Sequence, residues 1–245
     1  MTEILLNAHD LHKSYADKPA LKGVTLQLHA GEMVVLLGAN GAGKSTLLQL
    51  LTGLFSPDQG QIEVLGHNMR THASLALAGL GVVFQQSALD LDLTVLANLL
   101  FHTDLHGLPR TLARQRIASG LETMGLVAQS NSVVRSLSGG TRRKVELVRA
   151  LLHHPKVLLM DEATVGLDPA SRQQLLAAVR SLTSTHAVAV LWATHLMEEV
   201  KAADRLILLN QGRIRFDGSV DAFMAQATSQ DVNDELLKAL NSQER

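Results

Sequence analysis

The stretch Gly38-Ala39-Asn40-Gly41-Ala42-Gly43-Lys44-Ser45-Thr46 directly follows the apolar run Met33-Val34-Val35-Leu36-Leu37. Five apolar residues in a row suit a strand covered on both faces. A glycine-rich turn leaving such a strand and opening a helix leaves few choices of fold, because it demands a buried sheet with helices packed on it. The spacing Gly38-x-x-x-x-Gly43-Lys44-Ser45 in that setting reads as a phosphate cradle. Glycines let backbone N–H groups approach phosphate oxygens, and the helix N-terminus adds favourable partial charge. Asn40, Gly41, Ala42 and Thr46 complete the cradle. Lys44 would reach the β- and γ-phosphates, and the Ser45 hydroxyl would ligate Mg²⁺. The competing reading is a plain glycine turn, which the strand before it and the helix after it disfavour.

A second apolar run, Val157 to Met160, ends in Asp161-Glu162. A carboxylate at Asp161 can hold Mg²⁺, and Glu162 is placed to orient or activate a water for attack on a γ-phosphate. On their own, two acids at a strand end are unremarkable; the phosphate loop upstream gives them meaning. Between loop and acids lies Leu137-Ser138-Gly139-Gly140, a second glycine pair at a predicted helix start. That helix runs through Arg149 to Leu152. An exposed helix start with small residues is an anion site, so the chain holds two such sites.

The pattern also divides the chain. Leu21 to Leu28 alternates as a half-buried strand, with Ala30-Gly31-Glu32 as a turn. Helix is expected from Lys44 to Gly53, with strands at Gln61–Leu65 and Gly81–Phe84. From residue 86 to 152 the strand signal stops. Val95–His106 and Thr111–Met124 carry helical spacing, broken by Gly107-Leu108-Pro109. Strand–helix rhythm resumes at Val157. Asp168-Pro169 reads as an N-cap with proline at the first helical position. Ala187–Trp192 reads as a buried strand, and Arg205–Asn210 with Arg213–Asp217 as a hairpin. The expected organisation is one domain over 1–228. Segments 1–85 and 153–228 form its core, 86–152 an inserted helical lobe, and 229–245 a tail that reads as a short helix.

Composition excludes several classes. Lys+Arg is 22 against 23 Asp+Glu, and aromatics are 3%. That gives neither a basic surface nor a base-stacking platform, so no nucleic-acid partner is expected. With no cysteine there is no disulfide or thiolate metal site. The start of the chain lacks a secretory signal. Mean hydropathy is +0.13, yet no run approaches the roughly 18 apolar residues of a membrane span.

Together these motifs resemble the ATPase subunit of ABC transporters, from about Leu5 to Phe223. Leu137-Ser138-Gly139-Gly140 matches the family signature, and Gly166-Leu167-Asp168 the loop after the acidic strand. Gln85 matches the glutamine at the junction with the helical lobe, although Gln86 follows it. His195 matches the switch histidine, and Tyr15 the aromatic that stacks on adenine. The resemblance implies an α/β phosphate-loop NTPase of ABC type. Its mixed-sheet core carries an N-terminal antiparallel β-subdomain and an inserted α-helical subdomain.

The resemblance also implies that ATP and Mg²⁺ bind, with Glu162, His195, Gln85 and Lys44 catalytic and Ser45, Gln85 and Asp161 around the metal. Two copies, most simply a homodimer, would pair head to tail, each placing Ser138, Gly139, Gly140 and Asp168 against the other's nucleotide. A separate transmembrane permease would be the driven partner, putting the chain on the cytoplasmic side of the cell membrane. Ser87 to Val95 and Arg142 to Leu147 are similar to the branch that exports drugs, polysaccharides and lipids. Importer ATPases share every catalytic motif and stay open. A soluble ABC-type ATPase acting on nucleic acid or the ribosome is disfavoured by the single phosphate loop. Departures from the family pattern are Ala163 for a proline, Thr141 for a glutamine, and Val165 for a smaller residue.

Overall fold

Two long strands, β1 (Ile4–Tyr15) and β2 (Lys18–His29), form an antiparallel hairpin. The structure, a computed structural model, describes residues 3–226. The expected tail helix at 229–245 lies outside them. β1 is broken by register shifts around Asp10, whose φ is 49°. Next come β3 (Met33–Leu37), α1 (Lys44–Leu51), β4 (Gln59–Val64), β5 (His67–Asn68), α2 (Ala73–Ala78) and β6 (Leu80–Val83). Helices α3 (Val95–Leu105), α4 (Arg110–Thr123) and α5 (Gly139–Leu151) follow with no long strand between them. Then β7 (Val157–Asp161), α6 (Pro169–His186), β8 (Ala189–Thr194), α7 (Met197–Lys201), β9 (Arg205–Asn210), β10 (Arg213–Ser219) and α8 (Val220–Gln226) complete the fold.

The strands make two sheets. One is antiparallel, ordered β2-β1-β4-β5; the other runs β10-β9-β3-β8-β7-β6. The second is parallel from β9 to β6, with β10 antiparallel on its edge. All five residues of β3 are fully buried, as the apolar run predicts. Val34 and Leu36 face the antiparallel sheet and α1, while Met33, Val35 and Leu37 face a cluster containing Leu147, Leu175, Val179 and Phe223. Each such side chain contributes about 2 kcal/mol of apolar burial.

A third cluster, including Val95, Leu99, Ile117, Leu121 and Val134, holds the helical segment together. Helix α5 joins the layers: Val145 and Val148 point into this cluster, Leu147 and Ala150 into the sheet core. Alternate faces of one helix therefore tie the lobe to the sheet. The strand expected at Ala187–Trp192 is shifted to Ala189–Thr194, because Ala187 closes α6 in a left-handed conformation at φ 54°. Within Ser87–Val95, Leu89 and Val95 join the third cluster, whereas Leu91 and Leu93 are 38% and 41% exposed.

Candidate nucleotide site

The turn after β3 is shaped by two glycines with no room for a side chain. A Cβ on Gly38 would stand 2.4 Å from the Leu209 carbonyl, and one on Gly43 2.8 Å from that of Ala20. Gly43 also sits at φ 110°, reachable at little strain only by glycine. It caps α1 without a side chain, so the first N–H groups of the helix stay open toward the turn. A cavity of about 260 Å³ lies over them. Asn40, Gly41, Gly43, Lys44, Ser45 and Thr46 line one side, with Ala39; Ala20, Gln85 and Glu162 line the others. Gly38 and the buried Ala42 stand behind the loop and do not line it.

Lys44 Nζ donates to the Gly38 carbonyl at 2.5 Å and to that of Ala39 at 3.2 Å. Burial lowers its pKa, and the nearby charges of Glu162 and Asp161 raise it again. Asp161 is pushed up by burial and by Glu162, while Lys44 and a hydrogen bond from Ser45 pull it down. β7 therefore delivers a carboxylate against the hydroxyl that opens α1. Glu162 leaves the strand at φ 45°, its N–H held by the Ala193 carbonyl at 2.9 Å. Its Oε2 accepts from Gln85 Nε2 at 2.9 Å, and its Oε1 lies 3.5 Å from His195 Nδ1. The structure thus gathers Lys44, Ser45, Asp161, Glu162, Gln85 and His195 from four distant segments. Tyr15 is not in the cavity wall. Its ring is 43% exposed, packs edge-on against Phe55, and its hydroxyl donates to Gln49.

Ser138, Gly139, Gly140 and Asp168 assemble elsewhere. Ser138 caps α5: its Oγ accepts from the Thr141 N–H at 3.2 Å and contacts Thr141 Oγ1 at 2.9 Å. Asp168 caps α6 through the N–H and hydroxyl of Ser171. The two glycines differ. A Cβ on Gly140 would meet Ser171 Oγ at 2.5 Å, whereas one on Gly139 would meet nothing within 4 Å. Gly140 lets α5 pack on α6; Gly139 lies open. Beside them is a second cavity of about 180 Å³, lined by Gly139, Arg142, Arg143, Glu146, Gly166 and again Gln85, among others.

Sequence reasoning missed the groups that support these sites. Arg143 donates to the carbonyls of Phe84 at 2.6 Å and Gln85 at 2.9 Å, and pairs with Glu146 at 2.6 Å. Glu146 in turn accepts from the Ala88 N–H. This buried pair fixes the Gln85 segment to the signature helix. Glu199 is also fully buried; it accepts from Thr164 and Thr194 and has its pKa raised by burial. It braces the loop after Glu162 against the strand that leads to His195. In sequence, both acids sit in charged helical stretches and give no sign of burial.

The chain matches the family model described as ABC transporter over residues 21–165. It is 35% identical to the linearmycin resistance ATP-binding protein of Bacillus subtilis, covering 97% of this chain and 79% of that protein. It is 38% identical to the methionine import ATP-binding protein of Caulobacter vibrioides, covering 89% and 68%. Among solved structures it resembles a dimeric ATP-binding cassette in a post-hydrolysis state with ADP and phosphate. There the TM-score is 0.80 at 25% identity, over 88% of this chain and 99% of that one. The chain belongs to the ABC transporter family, as one of its ATP-binding, ATP-hydrolysing subunits. Subunits of this kind dimerise and work with transmembrane permeases. No described helix is long and apolar enough to cross a membrane.

Proposed function

We propose that two copies of this chain close head to tail around two MgATP and drive export through a separate permease at the cytoplasmic face of the membrane. The observation that carries the reading is the Glu162 carboxylate, held between Gln85 and His195 at the wall of the phosphate-loop cavity. The open N–H groups of α1 and Lys44 bind the β- and γ-phosphates. A water between Glu162 and the γ-phosphorus gives its proton to the carboxylate as its oxygen bonds phosphorus. The bond to the bridging oxygen breaks, and ADP leaves with the electron pair. His195 Nδ1 faces the other carboxylate oxygen at 3.5 Å. Tyr15 would meet the adenine at the exposed end of the nucleotide.

The donors present suit Mg²⁺: hard oxygens from Ser45, Asp161 and the amide oxygen of Gln85. A divalent cation would offset the cost of burying Asp161 beside Glu162. When bound it supplies positive charge to the phosphate oxygens. Gly139 supports the pairing, since a helix start with open space before it suits an outside phosphate. Ser138, Gly140 and Asp168 would frame that contact.

Export is favoured by the Ser87–Val95 and Arg142–Leu147 segments and by the likeness to a resistance protein. The likeness to a methionine import protein supports import as a second reading. Glu162→Gln is the test of the mechanism. The variant should bind MgATP and form a stable dimer by size-exclusion chromatography, with turnover lower by about 10²- to 10⁴-fold. Turnover at the parent rate would remove Glu162 as the base.

A further inference from the structure

Away from the nucleotide cavities, three histidines from two segments converge. His102 and His106 lie one turn apart at the end of α3, and His153 follows α5. One nitrogen from each lies within 4.8 Å of the other two. Two of the rings carry buried nitrogens with no partner, His102 Nε2 and His153 Nδ1. A buried polar atom left unpaired costs about 1–3 kcal/mol, so two in one cluster call for an explanation.

His153 supplies part of one. Its Nε2 lies 2.8 Å from the Leu80 carbonyl. A carbonyl can only accept, so Nε2 carries the proton and Nδ1 keeps a bare lone pair. Metal-ligating histidines are commonly oriented in this way, with the far nitrogen donating to a carbonyl. Burial first, then Arg149, lowers His102 to about 3; burial lowers His153 to about 4. Both rings are therefore neutral at physiological pH, the form that ligates.

We propose that His102, His106 and His153 form a three-imidazole site for a divalent transition metal of the zinc class. Imidazole donors with no carboxylate or thiolate suit Zn²⁺, Co²⁺, Ni²⁺ or Cu²⁺ and disfavour Mg²⁺ or Ca²⁺. A tetrahedral ion with metal–nitrogen bonds of about 2.0–2.1 Å brings its ligand atoms to about 3.4 Å from one another. The rings must draw in slightly. The stack of His106 on His153, centroids 4.0 Å apart and 10° from parallel, must also open. His106 is the exposed member at the helix end and is free to turn. Arg149 and Arg116 are the neighbouring charges that oppose the ion. The bound ion would pin the end of α3 to the segment entering β7 and, through Leu80, to the edge strand β6.

The test uses the full chain without an affinity tag and without nucleotide. Co²⁺ titration should give the visible bands of a tetrahedral nitrogen site, one equivalent per chain. Zn²⁺, followed by competition with a coloured chelator, should bind in the same ratio and raise the melting temperature. His106→Ala, at an exposed helix end, should fold normally, bind more than about tenfold more weakly and lose the thermal shift. His12→Ala, a surface control, should change nothing. Absence of a one-to-one site in the parent protein, or unchanged binding in His106→Ala, overturns the proposal.

Discussion

The phosphate-loop site and the signature site are both glycine-bearing helix starts, yet they are built differently. At the first, four segments of one chain line the cavity, and the lysine already has partners in Gly38 and Ala39. At the second, Ser138 is satisfied by its own helix and Gly139 faces open space. The fold of one chain builds the floor of the first site. The second is an exposed helix start. In the proposed head-to-tail pair, one chain would supply a floor and a lid that belong to different nucleotides.

Four further substitutions test that contrast, in decreasing order of effect. Lys44→Ala removes a buried cation from the enclosed site and should weaken ATP binding about a hundredfold, measured by nucleotide titration. A drop under threefold would mean the cradle binds through its backbone alone. Next, Gly139 and Gly140 should part company. Gly139→Val should leave monomer stability within about 0.5 kcal/mol while turnover falls tenfold or more, about the scale of a misplaced catalytic contact. Gly140→Ala should cost about 1–3 kcal/mol in denaturant unfolding, because its Cβ meets Ser171. The reverse pattern would show that Gly140, not Gly139, faces the partner.

The smallest effect is expected from Ala163→Pro. Ala163 is buried and Glu162 lies at φ 45°, whereas a following proline drives its predecessor toward extended backbone. Strain of about 1 kcal/mol at Glu162 would lower steady-state turnover by about fivefold. A loss above tenfold would show that the enclosed site tolerates less backbone change than its packing suggests.

What the sequence made legible is what is local. The turn from β3 into α1, the helix start at Ser138-Gly139-Gly140, the Asp168 cap and the acids ending β7 each lie within a few residues, and each could be read directly. β1 was harder. Its bulges around Asp10 break the alternation by which a strand is recognised. The Arg143–Glu146 pair and Glu199 act across 35 to 59 residues of chain. In sequence they are ordinary charged positions on helices, because nothing local records which face of α5 or α7 turns inward. The histidine cluster is likewise invisible in one dimension, with His153 far from His102 and His106.

Gln85 belongs to both cavities. Its side chain holds the carboxylate that would take the proton of the attacking water at one nucleotide, and its carbonyl is held by Arg143 in the helix that would present Gly139 to another. In a symmetric pair each active centre is then mechanically linked to the surface that closes its twin. Occupancy of one would change how readily the other shuts. The two turnovers of a dimer would then not be independent events, and the ATP dependence of the rate would be sigmoidal.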